Sequence, residues 1–203
     1  DNKYWTNYIP KKFFNKIKFI NPKKNIEEKN NLLPIFVMGL PRSGTTLVES
    51  LISSNKRKID NYGETFIIPN VIKKILENNS DELLLDISSI KSKVCKEYLK
   101  ISYNREMKST LFVDKTLENI FFIDIIKEIF PLSKIIVCER DYFDSFVAIF
   151  QQCLQGLSWA HKKSSISQYI QNFDNFVKKI KKQKNKNIHF VDLIELTENP
   201  ILI

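Results

Sequence analysis

Glycine is scarce, with four in 203 residues, and tryptophan, methionine and histidine occur twice each. That excludes collagen-like and glycine-rich low-complexity chains, and makes each glycine a candidate for a backbone requirement. The three cysteines, Cys95, Cys138 and Cys153, are odd in number and lack any C-x-x-C pair. A disulfide scaffold and a cysteine-based zinc site are thereby excluded, and free thiols in a reducing compartment are expected. Arginine is limited to Arg42, Arg57, Arg105 and Arg140, so the forked donor geometry that reads nucleic-acid bases is nearly missing. No apolar run approaches the roughly 18 residues of a membrane span, and no signal-peptide pattern opens the chain. A cytoplasmic location is the expectation. The sequence starts at Asp1 without methionine and stops in Leu-Ile, so an excerpt of a longer protein is also expected.

What is present is hydrophobic and basic. Hydrophobic residues make up 43% and charged residues 27%, which suits one globular domain rather than disorder. The net charge is +9, which favours an anionic partner. Much of it sits in lysine clusters, at Lys11 to Lys24 and Lys178 to Lys186, that suit solvated faces. Residues 1–32 form a Lys/Asn-rich arm or linker, with one short helix expected around Lys11 to Phe19. Residues 33–203 form the main domain.

Within that domain short apolar runs alternate with helical patterns. Strands are expected at Ile35–Met38, Leu111–Val113, Lys134–Cys138 and Ile188–Leu193. Helices are expected from Thr45 to Ser54, from Phe66 to Leu76 with an early interruption at Pro69, and from Ser88 to Tyr103. Others should run from Ile120 to Phe130, from Asp141 to Gln152, and along the stripe Ile166, Tyr169, Ile170, Phe173, Val177, Ile180. This alternation implies an α/β fold with a parallel sheet and right-handed crossovers.

One loop carries the chemistry. Gly39-Leu40-Pro41-Arg42-Ser43-Gly44-Thr45-Thr46 follows a strand and precedes a helix. Glycines there let successive amides wrap an anion at a helix N-terminus. Thr45 stands where a nucleoside-triphosphate loop carries its lysine, so a triphosphate with Mg²⁺ is poorly served. Backbone amides, the hydroxyls of Ser43, Thr45 and Thr46, and the charge of Arg42 suit a smaller anion.

From Phe36 to Leu47 the sequence resembles the 5′-phosphosulfate loop of sulfotransferases, most closely the tyrosylprotein enzymes and the bacterial ones associated with tetratricopeptide repeats. The resemblance implies a three-layer P-loop-like fold, a central parallel sheet flanked by helices. It also implies 3′-phosphoadenosine 5′-phosphosulfate as donor, adenosine 3′,5′-bisphosphate as product, and no metal.

Three further motifs extend the likeness. Tyr62-Gly63-Glu64-Thr65 is similar to the segment bearing the family's glutamate base, which implies Glu64 as proton acceptor; Phe66 stands where the tyrosylprotein enzymes have arginine. Asp114-Lys115-Thr116-Leu117-Glu118-Asn119 looks like the family's Asp-Lys-x-Pro-Glu-Asn, implying that Lys115 stabilises charge on the departing oxygen. Glu139-Arg140-Asp141 resembles the strand end that binds the 3′-phosphate, through Arg140. Ala148 stands where the family's serine usually follows, and Ser145, in the first helical turn, is the candidate substitute. The segment Ile194 to Pro200 resembles a late family motif, with Leu193 at the place of an adenine-stacking tyrosine. The acceptor is any hydroxyl carrier: peptidyl tyrosine, saccharide or small molecule. Neither nucleic acid nor an integral membrane segment is expected. Two other readings stay open at this point: a P-loop kinase-like phosphotransferase with Asp114 on Mg²⁺, and a non-catalytic binder of nucleotides or polyanions.

Overall fold

A sheet of purely parallel strands needs a crossover after every strand, and the long helical segments between the apolar runs supply them. The computed structural model describes residues 3–14, 18–20, 32–54, 58–78, 84–107 and 109–198. It begins with a π-helical turn (Tyr4–Tyr8), then α1 (Ile9–Phe14), β1 (Lys18–Ile20), β2 (Leu33–Gly39), α2 (Thr45–Ser53), β3 (Asp60–Asn61) and α3 (Ile67–Asn78). There follow β4 (Leu84–Asp86), α4 (Ile87–Asn104), β5 (Leu111–Asp114), a 3₁₀ turn (Leu117–Phe122) and α5 (Ile123–Ile129). The chain continues through β6 (Lys134–Glu139), α6 (Tyr142–Gln151), a second 3₁₀ turn (Ser158–His161), α7 (Lys163–Lys182), β7 (Ile188–Asp192) and α8 (Leu193–Glu198).

Five strands form one parallel sheet in the order β3-β5-β2-β6-β7, and β1 pairs with β4 in a separate parallel pair. Alternate residues of β2 face opposite layers. Phe36 and Met38 join the large core built with α3, α4, α5 and α7, whereas Ile35 and Val37 meet Val48 of α2 and Leu196 of α8. This is the three-layer α/β arrangement the motifs implied. Between β5 and β6 the chain crosses from one side of β2 to the other. In open α/β sheets such a reversal marks the place, at the carboxyl ends of the strands, where ligands bind.

Local chemistry explains several departures from the sequence-based expectations. The first helix covers Ile9–Phe14, and Lys18–Ile20 is a strand rather than its continuation. Ile9 and Phe13 are buried in the large core, and Asn172 of α7 donates to the Thr6 carbonyl at 2.7 Å. Pro69 does not interrupt α3, because it lies in the first turn, where its missing N–H has no carbonyl to meet. The apolar stretch from Ile120 is divided: a 3₁₀ turn through Phe122, then α5, which stops at Ile129 before Pro131. The last strand ends at Asp192, and Leu193 starts α8. The two-residue β3 and the β1–β4 pair were not foreseen; both are too short for a periodic signal. Asn199 and Pro200 lie outside the described residues.

Candidate active site at the carboxyl edge of the sheet

Gly39 ends β2 at a place with no room for a side chain: an added Cβ would lie 2.8 Å from the Cys138 carbonyl and 2.5 Å from Ser43 Oγ. The loop then turns through Arg42 at φ 70° and Gly44 at φ 88°. Ser43 is buried, and its hydroxyl and amide donate to the Leu40 carbonyl at 2.7 and 3.1 Å, closing the loop on itself. Ser43 thus shapes the loop through its side chain. Thr45 is buried, whereas Thr46 and Arg42 are exposed. Leu193 packs on Gly44, where a Cβ would come within 2.5 Å of Leu193 Cδ1.

The start of α2 differs from the starts of two neighbouring helices. Asp86 caps α4 by accepting from the Ser88 and Ser89 amides, and Asp141 caps α6 by accepting from the Phe143 and Asp144 amides. At α2 the N-cap is Gly44, which has no side chain to offer. The first-turn amides after it have no intrahelical carbonyl to meet and point outward with the positive end of the helix dipole.

Beside this loop stands a second cluster, because β2 and β5 are hydrogen-bonded neighbours. Lys115, which follows β5, is mostly buried and its Nζ donates to Glu64 Oε1 at 2.5 Å, while the Glu64 side chain is 42% exposed. The two segments are stitched together. Lys115 N–H donates to the Gly63 carbonyl at 2.9 Å, and the Thr116 hydroxyl accepts from the amides of Thr65 and Phe66 at 3.1 and 3.0 Å. These bonds hold Phe66 at φ 52°, a left-handed conformation that costs a side-chain-bearing residue roughly 1–2 kcal/mol.

Under this pair lies Asp114, fully buried. Its carboxylate accepts from the Thr65 hydroxyl (2.5 Å), the Tyr98 hydroxyl (2.6 Å), the Thr116 amide (2.8 Å) and Asn119 Nδ2 (3.5 Å). Burial pushes its pKa up while these donors oppose the rise. Both oxygens are thus engaged within the fold, an arrangement that lends no support to Asp114 as a Mg²⁺ ligand. Among the described residues no group of three or more His, Cys, Asp or Glu side chains is arranged to hold a metal ion.

Two more carboxylates border the cluster: Glu49, which the sequence did not single out, and Glu118, which it matched within the Asp114–Asn119 motif without assigning a role. Glu49 on α2 and Glu118 in the first 3₁₀ turn are buried, each with one oxygen lacking a hydrogen-bond partner. Burial raises both, Glu118 to about 7, with the charges of Glu64 and Asp114 adding to the rise and Lys115 opposing it. A buried glutamate has no sequence signature of its own, since only the packing around it distinguishes it from a surface residue.

At the third corner, Arg140 follows β6 and is half-buried, and its Nη1 donates to the Arg42 carbonyl at 3.0 Å. The structure thus joins Arg140 to the loop between β2 and α2 rather than to Asp141 or Asp144. Ser145, in the first turn of α6, offers no exposed donor. It has no exposed surface, its hydroxyl has no partner, and its amide donates to the Asp141 carbonyl at 2.9 Å.

The model of the sulfotransferase family matches residues 34–202, which include every segment of this site. The chain belongs to the sulfotransferase family. As a sulfotransferase-family fold it is similar to the sulfotransferase domain from the *Synechococcus* PCC 7002 olefin synthase, with TM-score 0.57 and 14% identity over 90% of this chain and 74% of that one. It is also similar to the sulfotransferase domain from the curacin biosynthetic pathway, with TM-score 0.52 and 18% identity over 85% and 71%. Sulfotransferase STF1 from *Mycobacterium tuberculosis* H37Rv gives TM-score 0.51 and 13% identity over 84% and 64%. These likenesses show the fold. An uncharacterized protein of *Aquifex aeolicus* (strain VF5) is 32% identical over 130 residues, which span 59% of this chain but 17% of that protein. The chain therefore corresponds to a small part of that relative's length. Among the described residues no helix is long and apolar enough to cross a membrane.

Proposed function

We propose that this chain transfers a sulfuryl group from 3′-phosphoadenosine 5′-phosphosulfate to an acceptor hydroxyl. The observation that carries the reading is the Lys115–Glu64 pair held beside the uncapped N-terminus of α2. The donor supplies an activated sulfate whose leaving group is a phosphate.

The first-turn amides of α2, with Arg42, Thr45 and Thr46, bind the 5′-phosphosulfate end, because unpaired N–H groups and a helix dipole favour an anion there. Ser43 and Gly44 keep the loop in shape. Arg140 pairs with the 3′-phosphate and, through its bond to the Arg42 carbonyl, ties that corner to the loop. Glu64 accepts the proton of the acceptor hydroxyl as its oxygen bonds to sulfur. Lys115 presents its positive charge to the bridging oxygen, whose bond to sulfur breaks with the electron pair leaving on phosphate. The ion pair suits this exchange: as Lys115 engages the donor, Glu64 is released to take a proton. No step calls for a metal.

Thermal-shift titration tests the reading. Adenosine 3′,5′-bisphosphate should stabilise the protein by about 2.7 kcal/mol at a hundredfold excess over Kd, with no requirement for Mg²⁺. Stabilisation by ATP–Mg²⁺ and not by the bisphosphate would sink it.

A further inference from the structure

Beyond that site, α3 and α4 enclose a cavity of about 700 Å³. It shares no lining residue with the phosphate loop or with Arg140. Its link to the chemistry is Thr65, which lines it and directly follows Glu64 in the chain. The lining positions fall on one face of each helix. On α4 they include Lys93, Lys96, Lys100 and Asn104, spaced three, four and four residues apart. On α3 the spacing from Ile67 through Val71 to Ile75 is four and four.

The two faces differ in chemistry from base to rim. Ile67 and Val71 are buried and Ile75 and Ile101 half-buried, which makes an apolar base. Lys74, Lys93, Lys96 and Lys100 are exposed around it, against the single acidic residue Glu97. Glu97 holds Lys100 at 2.7 Å, and this bond, with the nearby charges of Lys74 and Lys96, keeps its carboxyl below the usual glutamate range. Lys74, Lys93 and Lys96 make none of the salt bridges among the described residues. Like charges at these helical spacings repel one another, so the arrangement costs stability that a bound anion would restore.

We propose that this cavity holds the acceptor, and that the acceptor is an amphiphilic organic anion: a hydroxylated molecule with an aliphatic or ring body and a carboxylate, phosphate or sulfate group. The proposal rests on the sulfotransferase reading and names its substrate class. The volume falls within the roughly 300–1,000 Å³ of small-molecule sites. The apolar base takes the body, whose burial supplies affinity. The lysines take the anionic group, and the hydroxyl lies at the Thr65 end of the cavity, next in the chain to Glu64. A strongly acidic peptide or a polyanionic saccharide would satisfy the lysines but leave the half-buried Ile75 and Ile101 uncovered.

The test is isothermal titration with 12-hydroxydodecanoate, its methyl ester and an acidic tyrosine peptide, each with and without adenosine 3′,5′-bisphosphate. Wild-type protein and the Lys93→Glu/Lys96→Glu variant are compared; both lysines are exposed and in no described ion pair, so the fold should persist. The hydroxy acid should bind wild type at least tenfold more tightly than its ester or the peptide. The double variant should lose at least tenfold in hydroxy-acid affinity while its bisphosphate affinity stays within twofold. Equal binding of ester and acid, preference for the peptide, no binding of the acid, or an unaffected double variant would each overturn the acceptor proposal. Loss of bisphosphate binding by wild type would instead overturn the sulfotransferase reading, and the nucleotide-free titrations would still report on the cavity.

Discussion

The hydroxyl of Thr65 donates to Asp114 Oδ2 at 2.5 Å, and this bond joins the residue after Glu64 to the residue before Lys115. The two ends of the proposed proton-transfer and charge-stabilising pair are thus positioned through one buried carboxylate. Replacing Thr65 by valine keeps the shape and removes the bond. Hydrogen bonds to charged groups contribute about 1.5–3 kcal/mol, so urea unfolding should show a loss of that size. Sulfuryl transfer should fall about tenfold through kcat, since a small misplacement of reacting groups is costly. Affinity for adenosine 3′,5′-bisphosphate should not change.

Glu64→Gln and Lys115→Met separate the two roles. General-base removal typically costs about 10²–10⁴ in rate, and loss of one charge-stabilising donor about 10²–10³. The glutamine variant should still gain thermal stability from the bisphosphate, because the role proposed for Glu64 is toward the acceptor and not the nucleotide. Full activity in either variant, measured by single-turnover transfer of labelled sulfate, would remove that residue from the mechanism.

Gly39→Ala tests the close approach of loop and sheet. The new methyl would press on the Cys138 carbonyl, which cannot rotate away, and on Ser43 Oγ, which closes the loop. Overpacking of this kind costs about 1–3 kcal/mol. The melting temperature should drop, and bisphosphate binding should weaken at least tenfold because the loop amides lose their alignment.

The Glu118 carboxyl gives stability a pH dependence. Its pKa rises from 4.5 in the unfolded chain to about 7 in the fold. Between these values the folded state binds the extra proton, so this contribution is full below pH 4.5 and disappears as pH rises through 7. Above pH 7 the ionised, buried carboxylate costs about 3 kcal/mol. Glu118→Gln should therefore be more stable than wild type at pH 8.5, with the difference shrinking at pH 5.5. Urea unfolding at the two pH values measures this, and an equal offset at both would contradict it.

Much of the fold was legible because its signals are local. The runs Ile35–Met38, Leu111–Val113 and Lys134–Cys138 are strands, and α7 buries all six residues of the stripe its spacing selected, with Phe176 in addition. The split of the stretch after Ile120 was not legible, since its even hydrophobicity carries no mark of where a 3₁₀ turn gives way to α5. Two-residue β3 lies below the length at which alternation can be seen.

The candidate site divides along the same line. Residue order alone determined the glycine-bounded loop between strand and helix, the missing loop lysine at Thr45, and the segments bearing Glu64, Lys115 and Arg140. Those signals are contiguous, and backbone geometry enforces them within a few residues. Only the tertiary structure decided that Lys115 contacts Glu64, that Arg140 ties to the Arg42 carbonyl and that Ser145 faces inward. It alone brought Asp114 beneath Thr65, buried Glu49 and Glu118, and set four lysines around an apolar base. Each of these depends on residues far apart in the chain meeting at one place, and their charges, burial and hydrogen bonds exist only once the sheet has ordered its strands.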